Sequence, residues 1–212
     1  LVRGSASFKD AHTVTVGSLE YSADHIIIAT GSVSSSLPIS GADLPGILTS
    51  REILDIEKVP SSLCVIGGGV IGLEFASIFR SFGCEVTVLE YCKDILLRFD
   101  TDLAKRLKQS LSKRGISVET QAQVTSITEC DADAYTVSYT RKGKEETVTA
   151  EKVLMAVGRR ANLTSLNQDD IGLEYTPRGI VTDERTMQTN IPHIYAVGDI
   201  NGKMMLAHAA TF

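Results

Sequence analysis

The chain has 212 residues, of which 43% are hydrophobic and 22% are charged, the composition of an ordinary folded protein. Its net charge of -5 provides no basic surface for nucleic acid, so nucleic-acid binding is not expected. The longest apolar runs, such as residues 26–29 and 86–89, have the length of strands, so no membrane-spanning helix is expected.

The N-terminal residues and the cysteines favour a reducing, cytoplasmic location. Residues 1–10 lack the basic start and apolar stretch of a signal peptide. The cysteines are too far apart for paired CxxC ligands or a dense disulfide framework; they are Cys64, Cys84, Cys92 and Cys130. The histidines show no paired spacing either, so no metal site is expected; they are His12, His25, His193 and His208.

The first 60 residues predict short strands followed by a connection. Alternating residues 13–16 and the apolar run 26–29, which leads into Thr30 and Gly31, indicate strands. Residues 32–60 contain three of the five prolines and several serines, and they predict a connection with a short helix at residues 50–56.

A βαβ unit is predicted next. Residues 63–66 indicate a strand, 67–72 a glycine turn and 85–89 a second strand. Between them an apolar stripe at helical spacing predicts one face that packs on a sheet; its residues are Ile71, Phe75, Ile78, Phe79 and Phe82.

The second half predicts another helix and then mostly strands. Residues 102–114 form the helix, with Leu103, Leu107 and Leu111 on its packing stripe, and residues 116–119 form a strand. Residues 122–157 predict consecutive strands with a turn at residues 142–144. The tail predicts a strand at residues 194–197 and a helix that begins near Met205.

The glycine turn fits the dinucleotide-binding pattern GxGxxG, with a strand before it and a helix after it. The first glycine, Gly67, permits the tight turn; Gly69 lets the backbone approach a pyrophosphate; Gly72 lets the helix pack on the strand. N–H groups at the start of the helix then bind the phosphates. The sequence therefore predicts a dinucleotide site.

Two acidic residues bear on which dinucleotide binds. Glu90 ends the second strand, where a carboxylate accepts hydrogen bonds from the adenosine ribose and repels a 2′-phosphate, so NAD is favoured over NADP. The alternative for Glu90 is an ordinary solvated residue at a strand end. Glu74 lies in the first helical turn, where an acid simply suits the helix dipole, and its spacing alone favours that explanation.

These motifs together resemble the FAD- and NAD-dependent pyridine nucleotide-disulfide oxidoreductases, and the resemblance covers essentially the whole chain. Residues 26–32 resemble the end of the first part of the family's FAD domain. Residues 67–74 with Glu90, Val124 and the stretch 157–159 resemble its NAD site, although residues 160–162 replace the commoner proline-containing continuation. Residues 196–199 and 205–208 are the most specific, and they resemble the dihydrolipoamide dehydrogenases.

The resemblance implies two sets of binding residues and no catalytic residue within the chain. The implied NAD-binding residues are Gly67, Gly68, Gly69, Val70, Ile71, Gly72, Leu73, Glu74, Glu90, Val124 and Gly158. The implied FAD-binding residues are Thr30, Gly31, Ser32, Asp199, Met205, Leu206, Ala207 and His208. Glu74 is thereby expected near the nicotinamide, and Asp199 near the ribityl or pyrophosphate part of the flavin.

We therefore expect an α/β fold: a Rossmann-like NAD-binding domain, with a parallel sheet plus an antiparallel meander, flanked by pieces of a discontinuous FAD-binding domain. The expected boundaries are 1–39, 40–157 and 158–212. The chain resembles an internal segment, without the family's redox-active CxxxxC, first FAD-binding βαβ unit or dimerisation domain. We expect it to be inactive alone, and its parent to be a homodimer that acts on a small or protein-bound dithiol.

Two other functions remain open from the sequence. One is an NADH oxidase, peroxidase or other disulfide reductase of the same fold. The other is a non-catalytic NAD-binding module, for which the flavin motifs would have no purpose.

Overall fold

The computed structural model describes residues 1–130 and 133–210. It divides into two compact units: residues 34–158 form the first described below, and residues 1–33 with those from Arg159 onward form the second. In chain order the strands and helices are β1 (Ala6–Asp10), β2 (Thr13–Val16), β3 (Leu19–Ser22), β4 (Ile26–Ile28), β5 (Ser32–Ser34), β6 (Ile47–Leu48), β7 (Ser62–Ile66), α1 (Val70–Ser81), β8 (Glu85–Glu90), α2 (Thr101–Lys113), β9 (Ile116–Thr120), β10 (Ala122–Cys130), β11 (Ala134–Arg141), β12 (Lys144–Ala150), β13 (Lys152–Met155), β14 (Arg159–Ala161), β15 (Tyr175–Thr176), β16 (Gly179–Ile180) and β17 (Ile194–Ala196).

The unit of residues 34–158 is built on a parallel five-stranded sheet in the order β6-β13-β7-β8-β9. On the central strand β7, Leu63 and Val65 belong to one buried cluster, whereas Cys64 and Ile66 belong to another. A strand that is buried on both faces has to be apolar throughout, which explains why this run does not alternate with polar residues. The predicted Rossmann-like α/β class is confirmed.

The two buried clusters contain residues from the helices and from the antiparallel meander, respectively. The first cluster contains residues of α1 and α2, and the second contains residues of the antiparallel sheet β10-β11-β12. The chain then returns through β13, which pairs in parallel with both β6 and β7. The glycine turn directly follows β7 and precedes α1, so it lies at the carboxyl end of the central strand, where α/β sheets bind their ligands.

The predicted packing stripe of α1 is right at Phe79, which is buried, and at Phe75, which packs against the first cluster, but it is wrong at Ile78 and Phe82. The buried residues are Gly72, Leu73, Ala76 and Phe79. Ile78 and Phe82 are instead 46% and 65% exposed. Glycine and alanine allow the helix to approach the sheet closely, and a pattern built from large apolar residues does not count them.

In α2 the predicted stripe is right at Leu111, which is buried, and at Leu107, which packs against the same cluster. It is wrong at Leu103, which is 54% exposed, and it misses the small buried residue Ala104. The predicted helix at residues 50–56 is also wrong in extent, because only a 3-10 turn forms at Glu52–Leu54. Near Met205 the predicted helix is a 3-10 turn at Ala207–Ala210.

The segment before β6 belongs to this unit. Leu37 and Ile39 pack against its second buried cluster, and the N–H of Ile127 donates to the Ser40 carbonyl over 2.9 Å. Those contacts explain why the compact unit begins at Ser34, earlier than the predicted boundary at residue 40.

The other unit contains small sheets: antiparallel β1-β2-β3 and β15-β16, parallel β17-β4, and the pair β14-β5. Its core includes Phe8, Ile28, Ile180, Ile194 and Ile200, each of which is less than 5% exposed. Among its described residues there is no α-helix, only 3-10 turns at Gly198–Asn201 and Ala207–Ala210.

Candidate nucleotide and flavin sites

The first glycine of the turn is required by its backbone. Gly67 follows β7 with φ of +114°, and a Cβ built on it would lie 2.4 Å from the carbonyl oxygen of Ala156. Both the left-handed conformation and the close approach exclude other side chains. The predicted role of Gly67 in the turn agrees with this geometry.

The other two motif glycines differ in what surrounds them. A Cβ on Gly69, at the N-cap of α1, would meet nothing within 4 Å among the described residues. A Cβ on Gly72 would lie 2.2 Å from the Gly67 carbonyl oxygen and 3.1 Å from the Val65 side chain. Gly69 therefore leaves open space, and Gly72 permits close packing of helix on strand.

The carboxylate of Glu90 is bonded to the glycine turn. Its Oε2 accepts from the Gly68 N–H over 2.5 Å, and its Oε1 accepts from the Cys92 N–H over 2.7 Å. Each carboxylate oxygen has two lone pairs, so both can accept a further hydrogen bond. Glu90 is half-buried, and it is held in place beside the turn rather than free in solvent.

A single cavity of about 770 Å³ in the unit of residues 34–158 joins these features. A volume of this size is in the range of small-molecule sites. Its wall includes the predicted residues Gly67, Gly68, Gly69, Val70, Glu90, Val124 and Gly158. It also includes residues that were not predicted, among them Leu37, Pro38, Ile39, Tyr91, Cys92, Arg98, Phe99 and Gln123.

The unpredicted wall residues named above come from three segments. Leu37 and Ile39 lie in the segment predicted to be a connection, and Gln123 lies near the start of β10, next to the predicted Val124. The loop between β8 and α2 contributes Arg98, the one basic side chain of the wall among the described residues. Only the return of the chain to the sheet brings these segments together, so no local signal identifies them.

Four predicted residues lie elsewhere. Among the described residues, Ile71, Gly72 and Leu73 are outside the cavity wall, and Leu73 is buried in the core. Glu74 is exposed and borders a groove between α1 and α2. Its expected place beside a nicotinamide remains a prediction.

The cavity contains one thiol, that of Cys92. Burial raises its pKa, and the neighbouring Glu90 carboxylate raises it further. Burial likewise raises the pKa of Cys64 to about 12 and that of Cys84 to about 11. A thiol with a raised pKa is a poor nucleophile near neutral pH.

In the other unit, the structure brings together predicted flavin residues that are far apart in sequence. The Ser32 hydroxyl donates to Asp199 Oδ2 over 2.5 Å. The Thr30 hydroxyl donates to the Asn162 carbonyl over 2.8 Å, and the Asn162 N–H donates to the Gly31 carbonyl over 2.9 Å. The unusual continuation at residues 160–162 is therefore fixed by Thr30 and Gly31.

The stretch 205–208 is mostly exposed. Leu206 is 59% exposed, His208 is exposed, and Met205 is half-buried. The 3-10 turn that includes Ala207 and His208 lies near Asp199, since a Cβ on Gly198 would lie 3.5 Å from that of Ala210. The end of this 3-10 turn therefore lies beside Gly198, whereas the binding role of residues 205–208 stays a prediction.

The described residues contain neither a metal-binding cluster nor a membrane-spanning helix. No group of three or more His, Cys, Asp or Glu side chains among them is placed to bind a metal ion. None of their helices is long and apolar enough to cross a membrane.

Comparison with known proteins gives consistent results. The family model for pyridine nucleotide-disulphide oxidoreductases matches residues 1–212. The dihydrolipoyl dehydrogenase of Acholeplasma laidlawii is 40% identical over 98% of this chain and 60% of its own length. That of Geobacillus stearothermophilus is 38% identical over 100% of this chain and 46% of its own.

The solved structure of the HOCl-induced flavoprotein disulfide reductase RclA from Escherichia coli is also similar. Its TM-score is 0.88 with 30% identity, over 99% of this chain and 47% of that one. The chain thus spans about half the length of the relatives it matches.

Proposed function

We propose that this chain, which belongs to the pyridine nucleotide-disulphide oxidoreductase family, is the part of a dihydrolipoyl dehydrogenase that binds NAD and contributes to the FAD site. The observation that carries the proposal is the Glu90 carboxylate, bonded to Gly68 N–H in the wall of the large cavity. Relatives that are 35–40% identical over nearly the whole chain bear that enzyme's name, which supports this choice within the family.

The geometry of the cavity suits an adenine dinucleotide. The open space at Gly69 admits a pyrophosphate, next to the N–H groups of the first turn of α1. The free lone pairs of Glu90 accept hydrogen bonds from ribose hydroxyls. A 2′-phosphate there would meet a negative carboxylate, so the site selects NAD over NADP.

The Asp199 region suits a hydroxyl-rich part of FAD, because a half-buried carboxylate accepts hydrogen bonds from such groups. When bound, the nicotinamide and flavin supply the hydride transfer themselves. This chain's residues bind and orient them: Glu90 and the glycine turn for NAD, and Asp199 with its neighbours for FAD.

We assign no dithiol chemistry to this chain. Its four cysteines are free, and none are spaced as CxxxxC. The raised pKa values of Cys64 and Cys84 make both thiols poor nucleophiles. We therefore infer that the chain alone does not turn over, and that the disulfide half of the reaction belongs to a longer protein.

Several further properties follow as proposals. The unit of residues 34–158 is the NAD-binding domain, and the other unit is part of the FAD-binding domain. The substrate is a lipoyl dithiol, free or protein-bound, and the longer protein is a homodimer. Free cysteines favour a cytoplasmic location.

A different disulfide reductase of the same fold is the second candidate. The similarity to RclA, a flavoprotein disulfide reductase, favours it. A protein that reduces another disulfide would share the NAD and FAD sites and differ in the part that binds the dithiol.

The decisive test is NAD reduction by dihydrolipoamide, measured with the protein encoded by the complete open reading frame. We expect turnover with dihydrolipoamide and none with NADP in place of NAD. An enzyme that oxidises NADH but ignores dihydrolipoamide would support the second candidate instead.

Nucleotide choice is tested separately by calorimetric titration of the 212-residue chain. NAD is expected to bind at least about tenfold more tightly than NADP, and Glu90→Gln should narrow that difference because it removes the negative charge. Equal affinities of the unmodified chain for both nucleotides would show that Glu90 does not face the ribose.

A further inference from the structure

Three half-buried side chains of one unit form a continuous hydrogen-bonded chain. Arg159, at the start of β14, donates from Nε to Ser32 Oγ and from Nη2 to the Ser32 carbonyl oxygen, each over 2.7 Å. The Ser32 hydroxyl donates in turn to Asp199 Oδ2 over 2.5 Å. Arg159 lies in the stretch 157–159 that resembles the family's NAD site, but only Gly158 of that stretch was predicted to bind a cofactor.

The donor and acceptor roles in this series of hydrogen bonds follow from the chemistry of the three side chains. A guanidinium has only donors, so Ser32 Oγ uses a lone pair to accept from Arg159. The single hydroxyl proton of Ser32 is then left for Asp199, whose ionised carboxylate only accepts. Because the planar guanidinium also bonds the Ser32 carbonyl, it fixes the backbone and the hydroxyl together.

The arrangement leaves Asp199 able to bind something else. Among the described residues, no hydrogen bond reaches its Oδ1, and Arg159 forms no direct ion pair with it. Arg159 therefore orients the carboxylate through Ser32 without occupying it. The free oxygen is an acceptor, which suits a hydroxyl donor and not a phosphate.

We propose that Arg159 is a positioning residue for the flavin: through Ser32 it holds Asp199 so that Oδ1 accepts a hydrogen bond from a hydroxyl of the cofactor's ribityl chain. This rests on the proposed FAD site, and it adds a residue that does not itself contact the cofactor. Flavin affinity then depends on Arg159 only as long as Ser32 keeps its hydroxyl.

The experiment uses the protein encoded by the complete open reading frame, stripped of flavin and titrated with FAD while flavin fluorescence and the visible absorption band are followed. Arg159→Met and Ser32→Ala should each weaken FAD binding about tenfold, the effect of one lost hydrogen bond to a charged group. Ser32→Thr keeps the hydroxyl and should keep the affinity. Arg160→Met removes the same charge from an exposed neighbour and is the matched control.

The double variant separates positioning from general damage. In the Ser32→Ala background, Arg159→Met should weaken FAD binding less than about threefold, because the route to Asp199 is already broken. If Arg159→Met fails to fold, the difference in FAD affinity between Ser32→Ala and Ser32→Thr still tests the relay, that is, the hydrogen bonds from Arg159 through Ser32 to Asp199.

Three outcomes would overturn the proposal. They are unchanged affinity in Arg159→Met, equal loss in Ser32→Ala and Ser32→Thr, and fully additive losses in the double variant. If any of these occurs in a protein that binds FAD, only the relay fails. A full-length protein that binds no FAD at all would refute the proposed function as well.

Discussion

Valine at Gly69 and valine at Gly72 should damage the protein in different ways. At Gly72 the first added carbon already lies 2.2 Å from the Gly67 carbonyl oxygen, so α1 has to move away from the sheet. At Gly69 the added carbon meets nothing within 4 Å among the described residues, and its φ of -79° is ordinary for valine. Gly72→Val should therefore unfold more easily, whereas Gly69→Val should fold nearly normally.

The magnitudes follow from the kind of contact. Overpacking against backbone costs about 3 kcal/mol, which lowers the melting temperature of a chain this long by about 6 to 12 °C for Gly72→Val. Gly69→Val loses only the preference for glycine at an N-cap, at most about 1 kcal/mol, or about 2 to 4 °C. Its side chain fills the space proposed for the pyrophosphate, so NAD binding should weaken at least about tenfold.

The assay combines thermal melting, followed by circular dichroism, with calorimetric titration of NAD well below the melting temperature. Gly69→Ala and Gly72→Ala are matched controls, because they add only the carbon whose position is known. Equal melting temperatures for the two valine variants would refute the packing role of Gly72. Unchanged NAD affinity in Gly69→Val would refute the proposed path of the pyrophosphate.

Thiol chemistry and colour provide the remaining predictions. In the folded chain near pH 8, Cys92 should be alkylated slowly and NAD should protect it, whereas Cys64 and Cys84 should react only after unfolding. Burial raises the pKa of Cys64 to about 12 in the folded state, so the thiol ionises at lower pH in the unfolded state than in the folded state. The free energy of unfolding should therefore fall as the pH rises above about 9. In denaturant titrations, Cys64→Ala should make this dependence of the unfolding free energy on pH less steep. The purified 212-residue chain should be colourless and inactive, because the described residues of the unit proposed to bind FAD contain no α-helix that could bind a pyrophosphate. Stoichiometric flavin absorption or any turnover would contradict this.

Local features of the sequence predicted the geometry of the glycine turn. The strand, glycine turn and helix are contiguous, and both the positive φ of Gly67 and the contact of Gly72 with the Gly67 carbonyl are local features. The close approach of Gly67 to Ala156 is not local, and the motif did not predict it. Glu90 was predicted from its position at the end of the second strand, and β8 pairs directly with β7, which places that end beside the turn. Its contact with a ribose stays a prediction. Where the interactions are local, the motif in its strand–helix context was sufficient to predict the backbone geometry.

The packing face of the helices was harder to predict. Hydrophobic periodicity weighs side chains by size, so Phe82 and Leu103 appeared to be core residues, and Ala76 and Ala104 did not. In the structure Ala76 and Ala104 share the interface with the larger buried residues Leu73, Phe79 and Leu111. Phe82 and Leu103 remain exposed. Knowing the distance between helix and sheet is necessary before the pattern can be interpreted.

The chain of Arg159, Ser32 and Asp199 shows the other limit. Ser32 and Arg159 are separated by 127 positions, and Ser32 and Asp199 by 167, so no window of sequence contains the contact. The motifs identified Ser32 and Asp199 separately as flavin residues but gave no reason to connect them. Only the pairing of β5 with β14 brings the Arg159 guanidinium to Ser32. This pairing connects Ser32 and Asp199, which were predicted separately, with Arg159 in one hydrogen-bonded group. A cofactor site on this chain is therefore expected to respond to substitution as a network, in which losing the arginine or the serine hydroxyl has nearly the same effect as losing both.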